Sequence, residues 1–306
     1  MNHSSLPNLL RALTAEPLVI ERRTLDAFVG VLRRRSLEGV SFNGAELHAE
    51  LEIAAPRPAT SQSSAKRQVQ VIPIVGTIMN RAQSMGLGAM EIGQMVDRAA
   101  LDPRVDAIVL DVDSPGGTVM GVPELADKVF RARGEKPVIA VANGLMASAA
   151  YWVSAAADEV VVAPSGEVGS IGVIAFHEDW SQWLENEGIA VTELAAGKYK
   201  TEGAPWKSLD ADAEVFFRER VSEVYDWFIS DVARFRGDNV KAVRAGYGEG
   251  RVLSADAAVA ANLADRVGTL EGEIARLIEE PAEKRGMRAR LANRAETQRR
   301  LTARRV

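Results

Sequence analysis

Ser148 stands in Ala142-Asn143-Gly144-Leu145-Met146-Ala147-Ser148-Ala149-Ala150-Tyr151-Trp152. Val138 to Val141 reads as a buried strand, and the small residues from Met146 to Ala157 read as a helix. The spacing predicts a strand, a short turn and a helix, with Ser148 at the helix start. A serine there is commonly an N-cap. The same place suits a nucleophile, because free N–H groups and the helix dipole favour negative charge.

A serine nucleophile needs a base and a home for the oxyanion. Of the three histidines, His3 and His48 lie in a polar N-terminal stretch, so His177 in Phe176-His177-Glu178-Asp179-Trp180 is the histidine candidate. A lysine serves instead if burial favours its neutral form. Gly197-Lys198-Tyr199-Lys200-Thr201-Glu202-Gly203-Ala204-Pro205-Trp206 offers two. Lys198 reads as a solvated charge, whereas Lys200 sits beside a Gly/Pro/Trp loop that would shield it. For the oxyanion, Leu110-Asp111-Val112-Asp113-Ser114-Pro115-Gly116-Gly117 follows an apolar run from Val105 that reads as a strand. Pro115 ends that strand, and Gly116 and Gly117 allow a turn that aims backbone N–H groups outward. Pro-Gly-Gly is also an ordinary turn.

The order of five motifs carries more than any one of them. Asp113-Ser114-Pro115-Gly116-Gly117 is followed by Met146-Ala147-Ser148-Ala149-Ala150-Tyr151 and Ala155-Ala156-Ala157-Asp158. Gly169-Ser170-Ile171-Gly172-Val173 and Gly197-Lys198-Tyr199-Lys200 come next. This series resembles the signal peptide peptidase A (S49) family of serine–lysine peptidases, over about residues 68 to 272. Glu16-Pro17-Leu18, Gly172-Val173-Ile174-Ala175-Phe176-His177 and Gly203-Ala204-Pro205-Trp206 are similar to its phage capsid-assembly branch.

The resemblance implies Ser148 as nucleophile, Lys200 as general base and Ser170 as the residue that orients the lysine. It implies oxyanion donors at Gly116 or Gly117 and at Ala149. Many members carry glycine after the nucleophile; here Ala149 and Ala150 follow, and each still offers its N–H. The implied fold is α/β, a mostly parallel sheet with helical crossovers of the ClpP/crotonase-like kind. The implied substrates are polypeptides such as scaffold or portal proteins, with no cofactor. Alternatives are a soluble peptidase clearing cleaved signal peptides, a crotonase-like acyl-CoA enzyme and a silent shell component.

The elements that must position these residues fit that expectation. Strands alternate with helices along the chain, as in a parallel sheet with crossovers. Residues 1–55 form an N-terminal helical extension, 56–67 a Pro/Ser-rich linker, 68–283 the catalytic module and 284–306 a tail. Leu209 to Phe235 has helical periodicity, with Val215, Phe216, Val221, Val224, Tyr225, Phe228 and Val232 as a buried or subunit-facing stripe. With no internal repeat, a homo-oligomer is expected. The tail carries nine basic residues against the single acidic Glu296, which suits an acidic partner.

Composition narrows the classes. With no cysteine, thiol catalysis, disulfides and Cys-based metal sites are excluded. No His/Asp/Glu cluster has metal-ligand spacing. A net charge of −5 argues against a general nucleic-acid binder. The N-terminus lacks a long apolar h-region, so a protein without a membrane anchor is expected, in the host cytoplasm or a phage prohead.

Overall fold

A computed structural model describes residues 17–38, 60–64, 67–81 and 87–279. The basic tail, His3 and His48 lie outside the described residues.

The main sheet is built on three long strands: β3 (Arg67–Val75), β6 (Ala107–Ser114) and β8 (Val138–Ala147). They pair in parallel, with Val71 opposite Val109 and Val109 opposite Ile139. Their apolar runs are continuous because both faces are covered. Ile108, Leu110 and Val112 face one core with Ile72, Ile74 and Ala140, while Ala107 and Val109 face another with Val69, Val71 and Val141. Helices α2 (Ala89–Leu101), α3 (Val122–Ala132) and the short α4 (Ala149–Ser154) contribute to the first core. Ile274 and Leu277 of the C-terminal helix Leu270–Glu279 close the second. The predicted α/β fold, mostly parallel with helical crossovers, is the one observed.

Both ends of the sheet turn antiparallel. β2 (Thr60–Ser64) pairs with β3, so part of the segment read as a linker is an edge strand. Beyond β8 the sheet forks: β9 (Glu159–Val162) pairs with β8 in parallel, and β10 (Glu167–Gly169), also parallel to β8, takes β11 (Val252–Ser254) antiparallel.

Two local readings change. The turn expected between strand and helix before Ser148 is an irregularity inside β8. Val112 pairs with Ala142, but Ser114 pairs with Met146, so the chain bulges at Asn143–Leu145 while the strand runs on to Ala147. Asp113 Oδ1 accepts the Leu145 N–H at 3.0 Å and Asp111 Oδ1 accepts from Asn143 Nδ2 at 3.2 Å, which pins the bulge. Gly116 and Gly117 also do more than turn. They begin β7 (Gly116–Thr118), an inner strand of a second, smaller sheet ordered β1 (Leu18–Ile20), β7, β4 (Ile78–Met79), β5 (Leu87–Gly88).

Glycine at 117 is a steric requirement of that second sheet. A Cβ there would lie 1.8 Å from the Ile78 carbonyl oxygen, and backbone cannot step aside cheaply. Gly117→Ala is therefore expected to destabilise the fold by more than about 3 kcal/mol, measurable by urea unfolding. A loss below about 1 kcal/mol would contradict the packing of β7 on β4.

The helix Ala211–Arg236 starts at Asp210, whose side chain accepts the Ala213 N–H at 2.8 Å, and ends at Gly237 in the left-handed region. Its apolar stripe divides. Val224, Phe228 and Val232 are buried, whereas Val215 and Phe216 are exposed. Among the described residues no helix is long and apolar enough to cross a membrane.

Candidate active site

Ser148 follows the last residue of β8 and precedes α4. Its φ of 55° and ψ of −116° are sparsely populated for a side-chain-bearing residue, a conformation that costs on the order of 1–3 kcal/mol. The backbone is held on both sides. The Ser148 N–H donates to the Gly169 carbonyl at 2.8 Å, and its carbonyl accepts from the Trp152 N–H at 2.9 Å. The hydroxyl is wholly buried and has no hydrogen-bond partner. Although Ser148 occupies the N-cap position, its side chain makes no capping bond. The common structural role of a helix-start serine is thus unused here.

α4 is clamped from beneath. Trp152 stacks on Phe228 with ring centroids 4.4 Å apart, and its Nε1 donates to Asp231 at 2.9 Å. The Tyr151 hydroxyl donates to the Leu263 carbonyl at 3.0 Å. A strained serine stays in place because its helix is fixed in this way.

Gly116 lies directly against it. A Cβ on Gly116, where φ is +96°, would be 2.9 Å from both the Ala149 nitrogen and Ser148 Cβ. Ser148, Ala149 and Gly116 therefore lie together, at the start of a helix whose first N–H groups have no intrahelical partner. The Gly116 N–H points to Ser114 Oγ at 3.2 Å, a contact the sequence reading did not single out. Gly117 lies one residue further along β7, between β1 and β4.

Ser170 is placed by the neighbouring strand. Gly169 is in register with Ala147, so the next residues, Ser170 and Ser148, leave their strands side by side. Ser170 shares the φ of 55°, and its N–H donates to Arg251 at 2.7 Å.

The two candidate bases are elsewhere. His177 Nε2 lies 3.2 Å from the Ala204 carbonyl, in a groove of 730 Å³ that it lines with Phe176 and Phe217. It makes no bond to Ser148. Lys200 is exposed, contrary to the expected shielding by its Gly/Pro/Trp loop. The reason is the loop's own organisation. Glu193 accepts from Thr201 Oγ1, Trp206 Nε1 and Lys207 Nζ at 2.9, 2.6 and 3.0 Å, which ties the loop to itself. Those bonds, the one from Lys207 foremost, hold the Glu193 carboxyl below its ordinary range. Lys198 is engaged with the Tyr199 hydroxyl at 3.0 Å and with Asp212 at 3.6 Å. Within one chain, then, Ser148, Ala149 and Gly116 lie together, and the exposed Lys200 does not join them.

The chain belongs to peptidase family S49, whose model matches residues 131–283, half of the chain, from before Ser148 to beyond Lys200. Among its relatives, the capsid assembly protease C of Escherichia phage lambda is 32% identical over 280 residues, 86% of this chain and 63% of its own. The head-tail preconnector protein GP5 of Enterobacteria phage P21 is 28% identical, covering 86% of this chain and 55% of its own. Protease 4 of Salmonella typhi is 29% identical over 69% of this chain and 34% of its own. The chain thus spans less than two thirds of the length of these relatives. Among solved structures, a ClpP1 mutant from Listeria monocytogenes gives a TM-score of 0.41 at 15% identity, over 66% of this chain and 93% of its own.

Proposed function

We propose that this chain is a serine endopeptidase of capsid assembly, with Ser148 as nucleophile and Lys200 as general base. The observation that carries the reading is the buried, unpaired Ser148 hydroxyl on a strained backbone, set against Gly116 and the Ala149 N–H. Ser148 Oγ attacks a peptide carbonyl, and Lys200, as the neutral amine, takes its proton. Ser170 helps to orient the lysine. The oxyanion rests on backbone N–H groups of Ala149 and the Gly116–Gly117 pair. The proton passes to the leaving amine, and water then resolves the acyl-enzyme with Lys200 as base again. No cofactor enters these steps.

The lysine is delivered by a second copy of the chain. Supporting this, Lys200 is exposed on a segment that also exposes Ile189, Val191, Leu194 and Tyr199, close in sequence to the exposed Val215 and Phe216. Apolar exposure of that extent suits an interface. A homo-oligomer completed in this way confines cleavage to extended chains, the form of scaffold and portal segments that can reach an enclosed site. The phage relatives favour such substrates over cleaved signal peptides.

Incubation with phage scaffold and portal proteins, read by mass spectrometry, tests the reading. Discrete cleavage by the wild type and none by Ser148→Ala is expected. Intact substrates throughout, with no reaction between Ser148 and a fluorophosphonate probe, would overturn it.

A further inference from the structure

A strand of the protein's own chain runs beside Gly116 and Ser148. β1, Leu18–Ile20, is held between two walls. On one side Leu18 exchanges both backbone hydrogen bonds with Ile174, at 2.7 and 2.9 Å. Alternation along a strand then turns the polar groups of Val19 to the opposite side, where its register partner is Gly117 of β7. The Glu21 N–H continues the ladder to the Pro115 carbonyl at 2.7 Å. The walls are the two segments that flank the nucleophile: β7 begins at the oxyanion glycine, and Ile174 lies four residues past Ser170.

The register brings one carbonyl to the reactive centre. The Cβ position that Gly116 leaves empty is 2.3 Å from the Val19 carbonyl oxygen and 2.9 Å from both the Ala149 nitrogen and Ser148 Cβ. The oxygen of Val19, an oxyanion donor and the nucleophile's side chain thus meet around a single missing side chain. The Val19 side chain is itself fully buried in the main core, and Leu18 and Ile20 are almost so. An extended strand, apolar at successive residues and paired on both edges, is what a peptidase cleft presents to a substrate.

We propose that residues 17–21 are a built-in occupant of the substrate cleft, lying as a substrate would, with the Val19–Ile20 peptide bond at the position of the bond to be cut. This rests on the peptidase reading above. The closed chain protects Ser148, and a substrate enters only when β1 has been displaced or cut. Cutting adds water across the Val19–Ile20 bond and frees the Ile20 amine. The occupant also defines the class of ligand: an extended polypeptide with an apolar residue contributing the attacked carbonyl.

The test uses the full chain and fluorescein-labelled casein as the unfolded substrate. Val19→Asp places a carboxylate where no water reaches, and Leu18→Pro removes the N–H bonded to Ile174; both expel the strand. Each is expected to raise kcat/KM for casein at least about tenfold. A synthetic peptide of residues 14–24 should then compete with casein on the opened variants. Accumulation of wild-type chains beginning at Ile20, absent in Ser148→Ala, would be the same occupant after cleavage. Folded variants no faster than wild type, with no competition by the peptide, would overturn the proposal. If the variants fail to melt cooperatively, amide exchange of wild type decides. An apolar peptidyl boronate on Ser148 should accelerate exchange at 18–21 about tenfold, and unchanged exchange overturns the proposal. Fluorophosphonate labelling separates the two readings. Labelled but unaccelerated variants remove the occupant alone, whereas no labelling and no hydrolysis in any form removes the peptidase reading and the occupant with it.

Discussion

A Ser148→Ala chain is expected to lose peptide hydrolysis by about 10⁴-fold or more while keeping its stability to within about 1 kcal/mol. The two halves of this expectation have separate causes. Hydrolysis fails because the proposed attacking group is the Ser148 hydroxyl, which alanine lacks. Stability survives because the hydroxyl makes no hydrogen bond that could be lost and caps no helix. Alanine is strained at φ 55° as much as serine is, so the backbone cost is unchanged. Casein hydrolysis and thermal melting on the same preparation check both halves. Near-wild-type hydrolysis in pure Ser148→Ala would end the nucleophile assignment. A melting temperature more than about 8 °C lower, recovered in Ser148→Gly, would show that the position serves the backbone instead.

Lys200→Ala and Lys200→Arg are both expected to be inactive, the second because guanidinium does not become neutral at working pH. Lys198→Ala should be mild, since Lys198 is occupied by Tyr199 and Asp212. The informative measurement is a mixture. If Lys200 acts on the Ser148 of a neighbouring copy, Ser148→Ala and Lys200→Ala chains, each dead alone, recover activity when dissociated and reassembled together. In a head-to-tail ring of equal parts, about a quarter of the sites pair an intact serine with an intact lysine. A mixture that stays dead, or an inactive His177→Ala beside an active Lys200→Arg, would place the base elsewhere.

The family and the fold class were more legible in the sequence than the local geometry around Ser148. Ser148, Ala149 and Gly116 could be brought together on paper only through the resemblance carried by the five motifs in order, since locally each also reads as a cap or an ordinary turn. The bulge at Asn143–Leu145 read as a turn because Asn-Gly is a strong turn pair, whereas Asp113 from the next strand holds it inside β8. Gly116 and Gly117 read as a turn aiming backbone N–H groups outward, whereas the approach of Ile78, a tertiary contact, makes Gly117 part of a sheet. The exposure of Lys200 follows from the bonds to Glu193, which spacing alone does not reveal. β1 lies within residues 1–55, read as a helical extension, because Leu18-Val19-Ile20 is only an apolar trio in a polar stretch. Three residues carry too little periodicity to say which sheet they join, and the partners at Gly117 and Ile174 lie roughly a hundred residues or more away.

The irregular pairing of β6 with β8 makes the position of Ser148 a matter of parity. From Val112 to Ser114 one strand advances two residues, while from Ala142 to Met146 the other advances four. The surplus is even, and in a strand side chains alternate between faces with a period of two. Residues beyond the bulge therefore keep the facing set before it. Losing one residue from Asn143–Leu145 would invert everything downstream and turn Ser148 to the opposite side of the sheet. Losing two would remove the surplus, leaving Met146 opposite Ser114 in a regular ladder and Ser148 in its place. Among descendants of this chain, insertions and deletions at the bulge should be filtered by whether their length is odd or even, and only then by which residues they contain.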